Sequence, residues 1–165
     1  MQSSLFWLIV ISIIWLVSIK PKEKEIIQKE PIPPKSITST SKNIIDVAKE
    51  NLGKPYVYGK EGPDSFDCSG FVYAMHKELG IQLPRTSLNQ SKIKGEKIPK
   101  NLLKEGDLVF FDTAKEGHVN HSGIYLGEGK FIHATSGKAY SVTISSLEAW
   151  YKDKFKWGKR LNANK

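Results

Sequence analysis

The sequence contains a single cysteine, Cys68, among 165 residues. One thiol excludes an intrachain disulfide and a zinc module built from several cysteines. The chain also lacks internal repeats, and its net charge of +8 comes from scattered lysines rather than from a basic stripe. That charge suits an acidic polymer, an anionic membrane surface or plain solubility, and none of the usual nucleic-acid recognition motifs occurs. No nucleic-acid partner is therefore expected.

The first 19 residues contain no charged side chain, and residues 5–19 form an apolar run that only two serines interrupt. At about 1.5 Å per residue the run spans roughly 22 Å, against a hydrocarbon core of about 30 Å. Residues 1–19 are therefore interpreted as a membrane anchor or signal segment, and the absence of a small-x-small cleavage pattern after them favours an uncleaved anchor. Lys20, Lys22 and Lys24 favour a cytoplasmic domain by the positive-inside rule, so this segment alone leaves export open.

Residues 20–41 are rich in proline, serine, threonine and lysine. Proline removes backbone donors and the polar residues offer no core, so this segment is predicted to be a linker. The remaining residues, 42–165, are interpreted as one folded domain. A domain of that length can bury a sizeable hydrophobic core.

Hydrophobic periodicity predicts helices first and strands second in this domain. The predicted helices are one that Ser41 caps and Gly53 ends, a second from Asp67 or Cys68 to Leu79, and a short third from Thr86. The predicted strands are Leu108–Phe111, His121–Leu126, Lys130–Ala134, Tyr140–Ile144 and Phe155–Leu161. Because the turns are too short for crossover helices, we expect an antiparallel sheet with the N-terminal helices packed on it, an α+β fold.

Cys68 lies at the predicted start of the second helix, within the tetrapeptide Asp67-Cys68-Ser69-Gly70. Unpaired backbone N–H groups and the positive end of the helix dipole favour a thiolate there, whereas the charge of Asp67 opposes it. A lone cysteine is also commonly a small buried hydrophobe. Position alone therefore leaves a nucleophile and a structural residue equally open.

Two of the four histidines, His121 and His133, flank a predicted hairpin whose turn is Gly127-Glu128-Gly129. A three-residue loop pairs the following hydrophobic residues across the hairpin: Ile124 with Ile132 and Tyr125 with Phe131. In that register the two histidines lie on the same face as diagonal neighbours, about 7 to 8 Å apart at Cα. A two-residue loop places them on opposite faces, and the hydrophobic pairing favours three.

Two imidazoles on one face, in a chain whose only cysteine begins a helix, favour nucleophilic catalysis. In such an arrangement Cys68 is the nucleophile, His121 takes its proton, and His133 holds the ring of His121 in a usable tautomer. A metal site is the rival use of the histidines. His118 and His121 converge only on a helix, and no carboxylate cluster is nearby, so neither a metal nor another cofactor is expected.

Four other residues have simpler expected roles. His76, between an acidic and a basic neighbour on the second helix, is expected to face solvent. Arg85 is expected to pair with a surface carboxylate. Trp150 and Trp157 are expected to pack rather than to bind a ligand.

Six segments resemble, in the same order, the motifs of the NlpC-type cell-wall peptidases, which are papain-like cysteine peptidases. The segments are GKPYVYG at 53–59, DCSGFV at 67–72, LPRTS at 83–87, GDLVFF at 106–111, HSGIYLG at 121–127 and FIHA at 131–134. The resemblance covers about residues 42–161. It implies a circularly permuted papain-like domain that cleaves peptidoglycan stem peptides, typically between γ-D-glutamate and a diamino acid such as meso-diaminopimelate.

The resemblance assigns three catalytic roles: nucleophile to Cys68, general base to His121 and the orienting role to His133. It places Tyr56 beside the nucleophile and gives the backbone N–H of Cys68 to the oxyanion. Asp67 and Ser69 match positions that in some members hold the free amine of the first L-alanine. It also implies an exported protein of the cell envelope, on the periplasmic or cell-surface side, anchored through residues 1–19, with any regulatory partner unknown.

Two alternatives stay open at this point. One is an amidase or acyltransferase of the same fold that acts on another substrate, because a fold alone does not fix a function. The other is an inactive, membrane-anchored module that binds the wall. The intact set of one cysteine and two histidines favours an enzyme, since a pure binder has no chemical need of it.

Overall fold

A computed structural model describes residues 42–161 of the chain. The predicted anchor at 1–19 and the predicted linker at 20–41 lie outside the described residues. Within 42–161, none of the helices has the length and apolar character needed to cross a membrane.

Within residues 42–161, three short α-helices precede the sheet. They are α1 (Ile44–Lys49), α2 (Cys68–Glu78) and α3 (Ser87–Ser91), followed by a 3-10 turn at Lys100–Leu102. Each α-helix begins after a side chain that accepts a backbone N–H of its first turn, the usual device for starting a helix. These capping residues are Asn43, Asp67 and Thr86. The prediction that Ser41 caps α1 is wrong, because the side chain of Asn43 holds that position.

Five strands follow, and all neighbouring pairs are antiparallel, as predicted. They are β1 (Leu108–Phe111), β2 (His121–Gly127), β3 (Lys130–Ala134), β4 (Val142–Ser146) and β5 (Phe155–Lys159). Their order across the sheet is β4-β3-β2-β1-β5. β4 begins two residues later than predicted, since Tyr140 has a φ of 47° and cannot continue a strand.

The β2–β3 hairpin has the predicted register, in which Ile124 pairs with Ile132 and Tyr125 with Phe131. Its turn differs from the prediction. Only Glu128 and Gly129 form it, with φ values of 51° and 69°, as a type I′ turn requires. A register shift between Tyr125 and Gly127 absorbs the additional residue. The irregularity therefore keeps the predicted pairing, which a two-residue turn without it would have shifted by one residue.

The main hydrophobic core lies between α2 and one face of the sheet. Phe71, Val72 and Met75 of α2 pack in one buried cluster with Ile124 and Ile132. Each such side chain stabilises the fold by about 1.5 to 3 kcal/mol relative to an exposed position. This packing fixes the first turn of α2 against β2, where the candidate functional residues lie.

His76 does not face solvent as predicted. It is 2% exposed, and its Nδ1 lies 2.8 Å from the carbonyl oxygen of Val72, one helical turn earlier. Because His76 lies four residues after Val72, which faces the core, it shares the buried side of the helix. Burial lowers the pKa of His76, so the ring is neutral and donates its Nδ1–H to that carbonyl.

Candidate active site

Cys68 is the first residue of α2, and the motif around it holds the loop that precedes the helix. Oδ1 of Asp67 accepts the N–H of Gly70 at 2.6 Å, while the N–H of Asp67 donates to the carbonyl of Lys60 at 2.8 Å. A Cβ on Gly70 would lie 2.1 Å from that same carbonyl oxygen. The glycine is therefore required for the loop to approach the helix and set the position of the thiol.

The thiol lies among polar groups. Its Sγ is 3.7 Å from Oγ of Ser87 and 3.9 Å from the carbonyl oxygen of Asn120. Burial raises the pKa of Cys68, and the charge of Asp67 adds to this, whereas the hydrogen bond from Ser87 opposes it. Burial is the largest of these influences, so the pKa of the thiol is raised even though Cys68 begins a helix. The resting thiol is neutral.

We therefore expect Cys68 to react slowly with iodoacetamide at neutral pH. Only the thiolate is nucleophilic, so the rate should keep rising as the pH passes the ordinary thiol value of about 8.5. Because the chain has no other cysteine, alkylation followed by mass spectrometry reports this group alone. The unfolded chain in urea gives the exposed-thiol rate at each pH. A rate in the folded protein that is already maximal near neutrality would contradict a neutral resting thiol.

His121 and His133 meet on one face of the hairpin, as the predicted register requires. Nε2 of His121 lies 2.8 Å from Nδ1 of His133, and both rings are buried. Burial lowers the pKa of His121 to about 4. Burial lowers the pKa of His133 well below its ordinary value, and the neighbouring His121 lowers it further. Both imidazoles are therefore neutral at physiological pH.

The hydrogen bonds extend beyond the histidines to Ser145. Nε2 of His133 lies 2.9 Å from Oγ of Ser145. For His121 to accept a proton at Nδ1, its Nε2 must carry hydrogen and donate to Nδ1 of His133. His133 then carries its own hydrogen on Nε2 and donates it to Ser145. The chain of bonds thus selects the tautomer of His121 that a general base needs.

Ser145 was missed by the sequence analysis, although a signal for it existed. Thr143 pairs with His133 across β3 and β4, so Ser145 is the diagonal neighbour of His133 on the same face. The predicted strand ended at Ile144 and left Ser145 out. A correct strand boundary would have placed this hydroxyl beside the imidazole.

Gly123 permits the close approach of the two histidine-bearing strands. A Cβ at this position would lie 2.8 Å from the ring of Phe131, 2.9 Å from the carbonyl oxygen of Ile132 and 3.2 Å from Cβ of His133. Such distances are shorter than van der Waals contact, so β3 would have to move away from β2. The glycine therefore maintains the contact between the imidazoles.

Aromatic side chains enclose the imidazole pair. Tyr151 stacks on His121 at 5.8 Å between ring centroids and meets His133 edge-on at 5.2 Å. The rings of Phe111 and Phe131 lie 5.8 Å from His121 and 4.7 Å from His133, respectively. This apolar enclosure is the physical cause of the low imidazole pKa values. No pattern in the sequence singled out Tyr151.

Cys68 lies between two open clefts. The larger has a volume of about 960 Å³, and its lining includes Cys68, His121, Ser145 and Trp150. The smaller, of about 520 Å³, is lined by Cys68 together with Asp67, Ser69 and Arg85. Tyr56 and Asn120 line both clefts. An extended peptide can therefore lie across the thiol with one part in each cleft.

Two predictions for the tryptophans have different outcomes. Trp157 packs against the main core, as expected. Trp150 is 59% exposed and lines the larger cleft, so the prediction that it packs is wrong. Trp150 lies in the turn after β4, where its ring meets Tyr151 edge-on and stays open to solvent.

The structure brings Asp67 and Ser69 together with Arg85. Nη1 of Arg85 lies 3.0 Å from Oδ1 of Asp67 and 3.1 Å from Oγ of Ser69, and Nη2 lies 2.7 Å from Oδ2 of Asp67. Arg85 therefore pairs with the buried carboxylate beside the thiol, and not only with a surface group. Its Nε reaches the more exposed Glu61 at 3.0 Å. Tyr56, half-buried, meets Tyr140 edge-on.

Residues 42–161 contain no group of three or more histidine, cysteine, aspartate or glutamate side chains arranged to hold a metal ion. His118 lies 3.4 Å from Glu116 on the surface.

The family model described as "NlpC/P60 family" matches residues 53–160, which is most of the described part. The chain belongs to the NlpC/P60 family. The resemblance to this family, predicted from the order of the six motifs, is therefore confirmed.

Relatives and solved structures of the family support the fold. A γ-DL-glutamyl hydrolase of Bacillus subtilis is 38% identical over 65% of this chain and 26% of its own length. A γ-D-glutamyl-L-lysine dipeptidyl-peptidase of the same organism is 34% identical over 73% of this chain and 41% of its own. A crystal structure of an NlpC/P60 protein from Bacillus cereus has a TM-score of 0.64 at 37% identity, covering 71% of this chain and 38% of that one.

The chain spans less than half the length of these relatives. The family match, residues 53–160, lies within the domain described above. The solved structure and the topology of the sheet confirm the predicted fold, a papain-like α+β domain with helices packed on an antiparallel sheet.

Proposed function

We propose that this protein is a thiol-dependent peptidoglycan hydrolase that cleaves stem peptides at the bond between γ-D-glutamate and a diamino acid. The observation that carries the proposal is that Cys68 and His121 line one cleft and that His121 is hydrogen-bonded to His133. The names of the two Bacillus subtilis relatives, which both specify γ-glutamyl bonds, support the choice of bond.

The acylation step begins from two neutral groups. The proton of the Cys68 thiol passes to Nδ1 of His121 as the sulfur attacks the carbonyl carbon of the γ-glutamyl amide. The backbone N–H of Cys68, in the first turn of α2, stabilises the oxyanion. His121 then gives its proton to the departing amine, which leaves a thioester between Cys68 and the glutamyl γ-carbonyl.

Deacylation uses the same base. His121 takes a proton from water as the hydroxyl adds to the thioester carbonyl, and the imidazolium returns that proton to the departing sulfur. The acceptor Nδ1 of His133 stabilises the transient charge on His121. In the resting structure Sγ contacts Ser87 and Asn120 rather than the ring of His121. The hydrogen bond between a nucleophile and its general base commonly tightens only when the substrate binds.

Replacing Ser145 with alanine is expected to lower kcat by about 3- to 10-fold with little change in KM. The reason is that the hydroxyl of Ser145 accepts the Nε2–H of His133 and so selects the tautomer of His133 that orients His121. The substitution also leaves the Nε2–H of a buried imidazole without its partner. Threonine, which keeps the hydroxyl, should restore most of kcat. If alanine and threonine reduce kcat equally, the hydroxyl has no orienting role.

Digestion of purified peptidoglycan followed by mass spectrometry tests the proposed bond. The expected products are a fragment ending in γ-D-glutamate and a partner with a new free amine on the diamino acid. Cleavage between muramic acid and L-alanine would instead identify an amidase, and transfer to an added amine an acyltransferase. The first result overturns the proposed bond, and the second overturns the proposed hydrolysis. Binding to the wall without any product would overturn the proposed enzyme.

The place of action follows from the substrate, since peptidoglycan lies outside the cytoplasmic membrane. The proposed location is the cell envelope, with the chain tethered through the uncharged residues 1–19. The lysines at 20, 22 and 24 oppose this orientation. Protease digestion of intact spheroplasts distinguishes the two: an exported domain is degraded, and a cytoplasmic one survives.

A further inference from the structure

Two segments of the domain hold nearly all of the net charge of the chain. Residues 92–104 contain five lysines and one glutamate, and residues 155–160 contain two lysines, one arginine and no carboxylate. Together they carry a charge of +7, against +8 for the whole chain. The rest of the chain is therefore almost neutral.

The fold brings these two segments together at one edge of the sheet. β5 is the edge strand, and the backbones of Ile98 and Gly158 exchange hydrogen bonds of 2.9 and 2.8 Å. Nζ of Lys159 donates to the carbonyl oxygen of Gly95. The two segments form one surface, which we call the basic edge. The fold thus gathers lysines that are scattered in the sequence.

The basic edge stays positive after its ion pairs are counted. Two pairs neutralise part of it, Arg160 with buried Asp107 and Lys100 with Glu148. Five exposed lysines of the edge form no ion pair within residues 42–161: Lys92, Lys94, Lys97, Lys104 and Lys156. The exposed carboxylates that accompany them are Glu96 and Glu105. The surface therefore suits an anionic partner.

An exposed leucine lies among these charges. Leu102 is 60% exposed, at the end of the 3-10 turn that Lys100 begins. Nη2 of Arg160 donates to the carbonyl oxygen of Leu102 at 3.2 Å, which holds the turn beside the end of β5. A nucleic acid or a soluble wall polymer offers no apolar phase for this side chain, whereas the interface of an anionic bilayer accommodates both lysines and leucine. The combination favours a membrane.

The chain enters the domain beside the basic edge. Ile44, in the first turn of α1, lines a surface cleft of about 410 Å³ together with Lys104 and Arg160. The predicted linker that precedes α1, residues 20–41, can extend at most about 75 Å. A chain anchored through residues 1–19 therefore keeps the edge close to a bilayer, at a high effective concentration.

We propose that the basic edge docks the domain onto the surface of an anionic lipid bilayer. The exposed lysines contact the phosphate groups of the lipids, and Leu102 enters the interfacial region. No residue of the edge lines either catalytic cleft, so both clefts stay open in the docked domain. Docking uses no catalytic residue and goes beyond the proposed function.

A fluorescent label on the full-length chain tests this docking. Asn101 is exposed in the same turn as Leu102, so a nitrobenzoxadiazole group on Asn101→Cys reports the polarity beside the edge. Cys68→Ala removes the other thiol. The chain is reconstituted into vesicles of phosphatidylcholine, either alone or with phosphatidylglycerol in a ratio of about two to one. Since both leaflets have the same composition, the orientation of the chain does not affect the result.

We expect the emission to shift to the blue only in the vesicles that contain phosphatidylglycerol. The shift should disappear at about 1 M salt, where the screening length falls to about 3 Å. The matched control is a label on Ser136→Cys, in the exposed connection between β3 and β4 at the opposite edge of the sheet. The control label should not respond to the anionic lipid.

Charge reversal identifies the side chains responsible. Each basic side chain near an anionic surface favours binding by about 5-fold. Lys97→Glu combined with Lys104→Glu should therefore lower the ratio of docked to free domain by at least about 25-fold. Lys60→Glu combined with Lys138→Glu changes the net charge equally, at exposed positions outside the edge. This second pair should change the ratio by no more than about 2-fold.

Each result supports or overturns the docking. Equal emission from both kinds of vesicle, or a shift that persists at high salt, overturns docking by charge. Equal losses in the two double variants assign the effect to net charge and overturn the role of the edge. A label that responds to polyphosphate added to neutral vesicles, but not to phosphatidylglycerol, assigns the edge to a soluble polyanion instead. None of these measurements involves catalysis, so their failure leaves the proposed hydrolase intact.

Discussion

Replacing Cys68 with alanine is expected to reduce kcat/KM for stem-peptide hydrolysis by at least about 10,000-fold, because the variant has no atom that can form the thioester. The measurement is chromatography of products from a defined N-acylated tripeptide. The side chain is small and only partly buried, so the fold should survive. A thermal unfolding midpoint close to that of the parent provides the control.

The serine variant of Cys68 separates nucleophilicity from shape. A hydroxyl fits the same space, but the neutral imidazole of His121 must then deprotonate a much weaker acid. We expect Cys68→Ser to lose nearly as much activity as the alanine variant. If either variant keeps activity within about 10-fold of the parent, the sulfur is not the nucleophile.

Replacing His121 with alanine is expected to lower kcat/KM by about 1,000- to 10,000-fold, because a thiol with a raised pKa then has no base to take its proton. The double variant with Cys68→Ala should be no less active than Cys68→Ala alone, since the two groups act as a unit. Steady-state kinetics on the same tripeptide measures both values.

His76→Ala is a matched control for the loss of a buried imidazole. His76 is also buried and also bonded through a ring nitrogen, but it faces the core below α2 and lines neither catalytic cleft. Both alanine variants should lose stability, and only His121→Ala should lose activity below its unfolding temperature. Equal activity losses in the two variants would show that His121 has a structural role and not a catalytic one.

The hairpin illustrates how much the sequence could predict. Alternating hydrophobic residues determined the pairing of β2 with β3, and this pairing alone placed the two histidines on one face. The shift between Tyr125 and Gly127 had no separate signal. Its effect could nevertheless be predicted, because the cost of moving Ile124 and Ile132 to the wrong face exceeds the cost of a local irregularity.

Features that depend on burial by distant segments were not predictable in this way. The pKa of Cys68 depends most on what covers it, whereas the sequence showed only the helix start and the charge of Asp67. The ring of Tyr151, from a turn after β4, lies against both histidines, and no local pattern connects these residues. The bond between Arg85 and Asp67 joins positions 18 residues apart that only the fold brings together.

The central claim is that hydrolysis passes through a thioester on Cys68. A tripeptide with an activated ester in place of the scissile amide should acylate the enzyme faster than water releases the acyl group. Intact-protein mass spectrometry after an acid quench should then show one added N-acyl-L-Ala-γ-D-Glu group, and peptide mapping should locate it on Cys68. Turnover of the ester with no adduct, or an adduct on any other side chain, would contradict the account.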